Sequence, residues 1–196
     1  FATHQDLMSH EIIDKESIKK YKVTIHSPWR NIRYDKNRDT EKIINKLNEI
    51  SQTYQSIGAV IHPDIIDNFR YIKNSEINFL IENMDSKKNF GKNPKDLEKI
   101  KNDYGFNFIF DAFNAYEVDN TLKTGKEIIE VMKDSLNHLH ISGLGKQEKH
   151  ALLYKSVNQK ELKELINLRP NLPRIFEGRI TNLEEITKEV EYVKKI

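Results

Sequence analysis

Residues 107–111 read Asn-Phe-Ile-Phe-Asp, a short apolar run closed by a carboxylate, and the chain repeats this arrangement. Val-Thr-Ile-His at 23–26, Ala-Val-Ile-His at 59–62, Phe-Leu-Ile-Glu at 79–82 and Arg-Ile-Phe-Glu at 174–177 end in the same way, and His140 lies within His-Leu-His-Ile-Ser at 138–142. An ionisable group after three apolar residues is costly inside a core unless it emerges at a rim or meets a cation. Each run therefore reads as a buried strand whose final residue stands at the strand's C-terminal end.

Working outward, the strands expected are Lys22–His26, Ala59–His62, Asn78–Glu82, Asn107–Asp111, His138–Ser142 and Arg174–Glu177. Between them the apolar residues recur every three or four positions, the period of an amphipathic helix. Thr40–Tyr54 carries Ile43, Ile44, Leu47 and Ile50 on one face, and Pro94–Asp103 carries Leu97 and Ile100. Lys123–Asp134, Gln159–Leu168 and Leu183–Lys195 continue the series. Strand and helix in alternation, with strands apolar on both faces, predict a parallel sheet covered by helices. An open sheet gathers its site at one switch point, whereas a closed barrel brings many strand ends to one mouth. Because nearly every strand closes on a ligand-type residue, the expected fold class is α/β, a TIM-type (β/α)8 barrel, forming a single domain over residues 1–196. Six strands are found where eight complete a barrel. Phe1–Leu7 reads as the exit of a strand into a loop and Ser17–Tyr21 as the lead into the next, so the first one or two strands are expected to be missing or unrecognised.

Composition narrows the function. The 32 basic and 30 acidic residues leave a formal charge of +2 with no block of one sign, so no strong nucleic-acid footprint is written in the charge. Lys87, Lys88, Lys92 and Lys95 form a mildly basic stretch that reads as a solvated loop. The absence of cysteine excludes disulfides, a thiolate nucleophile and Cys-ligated zinc, so a metal would sit on histidines and carboxylates. No apolar run approaches the roughly 18 residues of a membrane span, and Phe1–His10 lacks the apolar centre of a signal peptide. A cytoplasmic protein without a membrane partner is the default expectation.

Carboxylates with imidazoles make a borderline-to-hard donor set, suited to Zn²⁺ or Mn²⁺ and less to calcium. Such a site can generate hydroxide for attack on a phosphodiester, or polarise a hydroxy-carbonyl unit so that a proton moves between carbons. The residue types leave both chemistries open.

From about Val23 to Gly178 the chain resembles the xylose isomerase-like TIM barrels, which include endonuclease IV and sugar isomerases and epimerases. Glu82, Asp111, His140 and Glu177 match the order and type of that superfamily's metal tetrad, 29, 29 and 37 residues apart. The strings Glu-Asn-Met-Asp, His-Ile-Ser-Gly and Glu-Gly-Arg are similar to those of small members labelled sugar phosphate isomerase/epimerase. Other fragments resemble the endonuclease IV branch: His26-Ser27-Pro28-Trp29, His62-Pro63, Glu82-Asn83-Met84 and Glu148-Lys149-His150.

The resemblance implies one or two divalent ions, Zn²⁺ or Mn²⁺. His26 and His62 would hold one, with Glu82 bridging to a second on Asp111, His140 and Glu177. Glu82 and Glu177 would also be the catalytic acid/base pair. The chain departs from the endonuclease pattern where Asn114 replaces a third-site histidine and Glu148 replaces an aspartate, so His150, Glu148 and Asn114 stand as possible metal or substrate contacts. Trp29 reads as a cap or an aromatic wedge, and Arg30 and Arg179 as clamps for a substrate phosphate.

The favoured expectation is a metal-dependent isomerase or epimerase acting on a sugar or sugar phosphate. The first alternative is endonuclease IV-like cleavage of abasic DNA, and the second a non-catalytic degenerate barrel acting as a binding module.

Overall fold

The structure is a computed structural model that describes residues 1–10, 15–18 and 20–196. The chain forms two compact units, one of Phe1–Glu82 with Ile100–Asn107 and one of Asn83–Lys99 with Phe108–Ile196.

In the first unit, helices α1 (His4–Met8) and α2 (Lys15–Ile18) precede strand β1 (Ile25–His26), helix α3 (Arg38–Tyr54), strand β2 (Ala59–Ile61), helix α4 (Phe69–Lys73) and strand β3 (Phe79–Glu82). The three strands are parallel and neighbours in chain order, with Ile25 opposite Ala59 and Val60 opposite Leu80. Asn37 starts α3 by accepting from the N–H groups of Asp39 and Thr40, which satisfies donors that the first turn leaves open. Ile43, Ile44, Leu47 and Ile50 are buried, each stabilising the unit by about 1.5–3 kcal/mol through loss of apolar surface to water. β2 is buried along its whole length, in keeping with a parallel sheet covered on both faces.

In the second unit, strands β4 (Asn107–Asp111), β5 (Leu136–Ile141) and β6 (Arg174–Phe176) are again parallel. Helix α5 (Pro94–Tyr104), of which Pro94–Lys99 belongs to this unit and Ile100–Tyr104 to the first, precedes β4, and α6 (Ala112–Val118), α7 (Lys123–Met132), α8 (Gln159–Ile166) and α9 (Leu183–Val193) follow in order. The β4–β5 ladder shifts register between Phe108 and Ile109, which face Leu136 and His138. Asn137 is the extra residue of this bulge. Glu189 on α9 is fully buried and accepts from the N–H groups of Leu153 and Tyr154. Burial pushes its carboxyl above the usual carboxylate range, and those two hydrogen bonds oppose the shift.

Six strands are present among the described residues, where the sequence places them. β1 is shorter than Lys22–His26, and β5 begins two residues earlier than His138. One expectation about the beginning of the chain is corrected. Phe1–Leu7 does not run into a loop: Thr3 and Asp6 form a reciprocal capping box that starts α1. Of the lead-in Ser17–Tyr21, Ser17 and Ile18 belong to α2, and Lys19 lies outside the described residues. Among the described residues no helix is long and apolar enough to cross a membrane.

Candidate metal centre

In the first unit, His26, His62 and Glu82 each offer a donor atom within 4.8 Å of the others. Glu82 closes β3 and is 2% exposed. Its Oε2 lies 3.1 Å from Nε2 of His62 and 3.5 Å from Nε2 of His26. Nδ1 of His26 is 2.8 Å from the carbonyl oxygen of Ser27. A carbonyl only accepts, so Nδ1 carries a proton and Nε2 is the nitrogen that faces the carboxylate. A backbone acceptor of this kind orients a metal-binding imidazole. His62 occupies the position before the 3₁₀ turn Pro63–Ile65. Its ring meets His26 edge-on at 5.0 Å and lies tilted at 33° to Trp29, 5.7 Å away. Trp29 is half-buried, and the exposed Arg30 lays its guanidinium over the indole at 4.6 Å.

The second unit gathers Asp111, His140 and Glu177, whose donor atoms also lie within 4.8 Å of one another. Asp111 ends β4 and starts α6 with no intervening loop: one carboxylate oxygen accepts from the Asn114 N–H at 2.7 Å. Asn83 fixes the same residue's backbone, donating from its amide to the Asp111 carbonyl at 3.0 Å and accepting the Asp111 N–H at 2.8 Å. His140 is 3% exposed on β5. Its Nδ1 lies 2.8 Å from Oε1 of Glu177, whose side chain is 26% exposed and so reachable from solvent. On its other side, Nε2 of His140 lies 3.2 Å from Nε2 of His138.

The remaining expected residues take other positions. Asn114 donates its amide to the Asn83 carbonyl at 3.0 Å. His150 has a positive φ of 55°, pairs through Nδ1 with the Ser142 hydroxyl at 3.0 Å and packs edge-on against Phe113. Glu148 is exposed on the tight turn closed by the Gly145 N–H and the Glu148 carbonyl. Arg179 is also exposed, and its N–H donates to the His150 carbonyl at 2.9 Å. The loop after β5 is pinned by close approach: a Cβ on Gly143 would lie 1.8 Å from the Ser156 hydroxyl oxygen, and one on Gly178 would lie 2.9 Å from the Leu152 backbone.

In sequence Asn83 stands only within Glu-Asn-Met-Asp and His138 only within His-Leu-His-Ile-Ser. The signal for His138 was its spacing of two from His140, which puts both on one face of a strand. Nothing in sequence marks Asn83 as the brace of a residue 28 positions away.

Two clusters mixing imidazole and carboxylate can each hold a borderline divalent cation. No family model matches the chain, and no curated protein matches it in sequence. Solved structures do. Endonuclease IV from Thermus thermophilus superposes with a TM-score of 0.70 at 15% identity, covering 100% of this chain and 86% of that one. The likeness is one of fold, to TIM-type barrels. The fold is shared with the apo 3-keto-D-glucoside 4-epimerase of E. coli, at TM-score 0.64 and 13% identity over 98% of this chain and 86% of that one. It is also shared with a xylose isomerase domain containing protein of Salmonella typhimurium, at TM-score 0.65 and 15% identity over 93% and 81%. Glu82 stands at the C-terminal end of β3 and Asp111 at that of β4.

Proposed function

We propose that this chain is a divalent-metal-dependent enzyme that isomerises or epimerises a sugar or sugar phosphate. The observation that carries this reading is the Asp111, His140 and Glu177 cluster, with a buried aspartate and histidine beside a partly exposed carboxylate. Asp111, His140 and Glu177 would hold a divalent ion, with Glu82, His62 and His26 as the donors for a second. Zn²⁺ or Mn²⁺ suits this donor set. When bound, such an ion polarises a hydroxy-carbonyl unit of the substrate and acidifies the C–H beside it.

The protein's own groups then carry the proton. Glu177 is open to a substrate and serves as the base that removes or returns it, with Nδ1 of His140 2.8 Å from that carboxylate. Glu82 is the second acid/base group of this reading. Trp29 offers an apolar face for a sugar ring. Arg30, stacked on Trp29, offers a fork for a phosphate. Arg179 is assigned the same role on the second unit.

A second reading, endonuclease IV-like cleavage of abasic DNA, is favoured by the His26, His62 and Glu82 cluster, since a further cation suits phosphodiester hydrolysis. Asn114 weighs against it, because its amide is committed to the Asn83 carbonyl where that branch has a third-site histidine.

The deciding assay pairs two substrates on metal-loaded protein with Glu177→Gln as control. Interconversion of sugar phosphates that the variant lacks supports the isomerase reading. Nicking of a duplex bearing one abasic site, abolished by the same substitution, replaces it with the hydrolase.

A further inference from the structure

His138 and His140 are both buried on β5, at 1% and 3% exposure, with ring centroids 5.1 Å apart. Their Nε2 atoms are 3.2 Å apart, so one donates and the other accepts. The direction is set one residue back. Nδ1 of His138 lies 3.1 Å from the side-chain oxygen of Asn137, an atom that only accepts. The His138 proton therefore sits on Nδ1, and its Nε2 accepts from His140. The bulge explains why consecutive residues meet at all. In a regular strand Asn137 and His138 would point to opposite faces, whereas the register shift against Phe108 and Ile109 re-aims the extra residue.

We infer that His138 is a positioning residue for His140: by accepting the Nε2 proton, it leaves the Nδ1 lone pair of His140 beside Glu177, aimed at a divalent cation. The inference rests on the metal-dependent reading above. His140 thus has one nitrogen occupied by a buried neighbour and the other turned to the carboxylate 2.8 Å away. Outer partners that fix the ring of a metal-binding histidine in this way typically change metal affinity by roughly 10- to 100-fold when removed.

The test is a Zn²⁺ titration of metal-stripped protein followed through the ring ¹⁵N resonances of His140, which separates this site from His26 and His62. In the zinc-loaded wild type, His138 should be protonated on Nδ1 and His140 on Nε2. His138→Leu should weaken zinc at this site by roughly 10- to 100-fold. His138→Gln, whose side-chain oxygen can still accept, should recover most of the loss. A proton on Nε2 of His138, as an inverted Asn137 amide would require, overturns the inference. So does a His138→Leu variant that binds zinc as tightly as wild type. If His138→Leu does not hold its fold by circular dichroism, the wild-type tautomers and the His138→Gln affinity decide. Failure of the wild type to bind zinc removes the metal-dependent reading and this inference together, whereas wild-type binding unmoved by His138→Leu removes the inference alone.

Discussion

Asn83 grips the backbone of Asp111 from both sides, accepting its N–H at 2.8 Å and donating to its carbonyl at 3.0 Å, with both residues fully buried. Asp111 is thereby fixed at the point where β4 becomes α6. Truncation at Asn83 would leave two buried backbone groups without this partner, each costing about 1–3 kcal/mol. Asn83→Ala should lower stability by about 3 kcal/mol in urea unfolding and weaken Zn²⁺ binding at Asp111. Unchanged values for both would show that the brace is not needed.

Gly143 is required by close approach, since a Cβ there meets the Ser156 hydroxyl oxygen at 1.8 Å and its Cβ at 2.5 Å. Gly143→Ala should destabilise by about 1–3 kcal/mol through overpacking. Adding Ser156→Gly removes the obstructing atoms, so the double variant should recover part of the loss in a double-mutant cycle. Strict additivity would locate the strain elsewhere.

Glu185 on α9 gives the protein an acid-sensitive contact. The Lys155 ammonium, then the backbone N–H and hydroxyl of Thr181, hold its carboxyl down at about 2. A carboxyl depressed on folding adds stability above its unfolded pKa and loses it as pH falls through the folded value. The difference in melting temperature between wild type and Glu185→Gln should therefore be full above pH 5 and shrink as pH falls toward 2. A difference independent of pH over that range would contradict the assignment.

His26 and His62 converge on one oxygen of Glu82. Replacing both by alanine should lower the number of Zn²⁺ ions bound per chain and leave sites at Asp111, His140 and Glu177 occupied, as read by elemental analysis after desalting. Equal metal content in the double variant and the wild type would show that these histidines are not ligands.

The strand ends were legible because an ionisable residue closing an apolar run has few places to go: Glu82, Asp111 and His140 lie on the strands expected for them. The short helices were harder to see. α6 starts at the residue that ends β4, so Asp111 serves as strand end and helix cap with no turn residues between them. α1 carried a readable sign in Thr3 and Asp6, but the five polar or small residues from Ala2 to Asp6 resemble a loop equally well. The β5 bulge has no mark in sequence at all, because the register of Asn137 is set by its partner strand. The roles of Asn83 and His138 depend on that kind of tertiary placement and became readable only with it.

A divalent-metal site is tested most directly by the melting temperature of metal-stripped protein with and without excess Zn²⁺, paired with the bound metal per chain. An ion that binds only the folded state stabilises it by about 2.7 kcal/mol at a hundred times its Kd. A metal site on the folded protein should give a clear rise in melting temperature with at least one ion retained per chain, and a smaller rise in Glu177→Gln. An unmoved melting temperature with less than one ion per chain would contradict it.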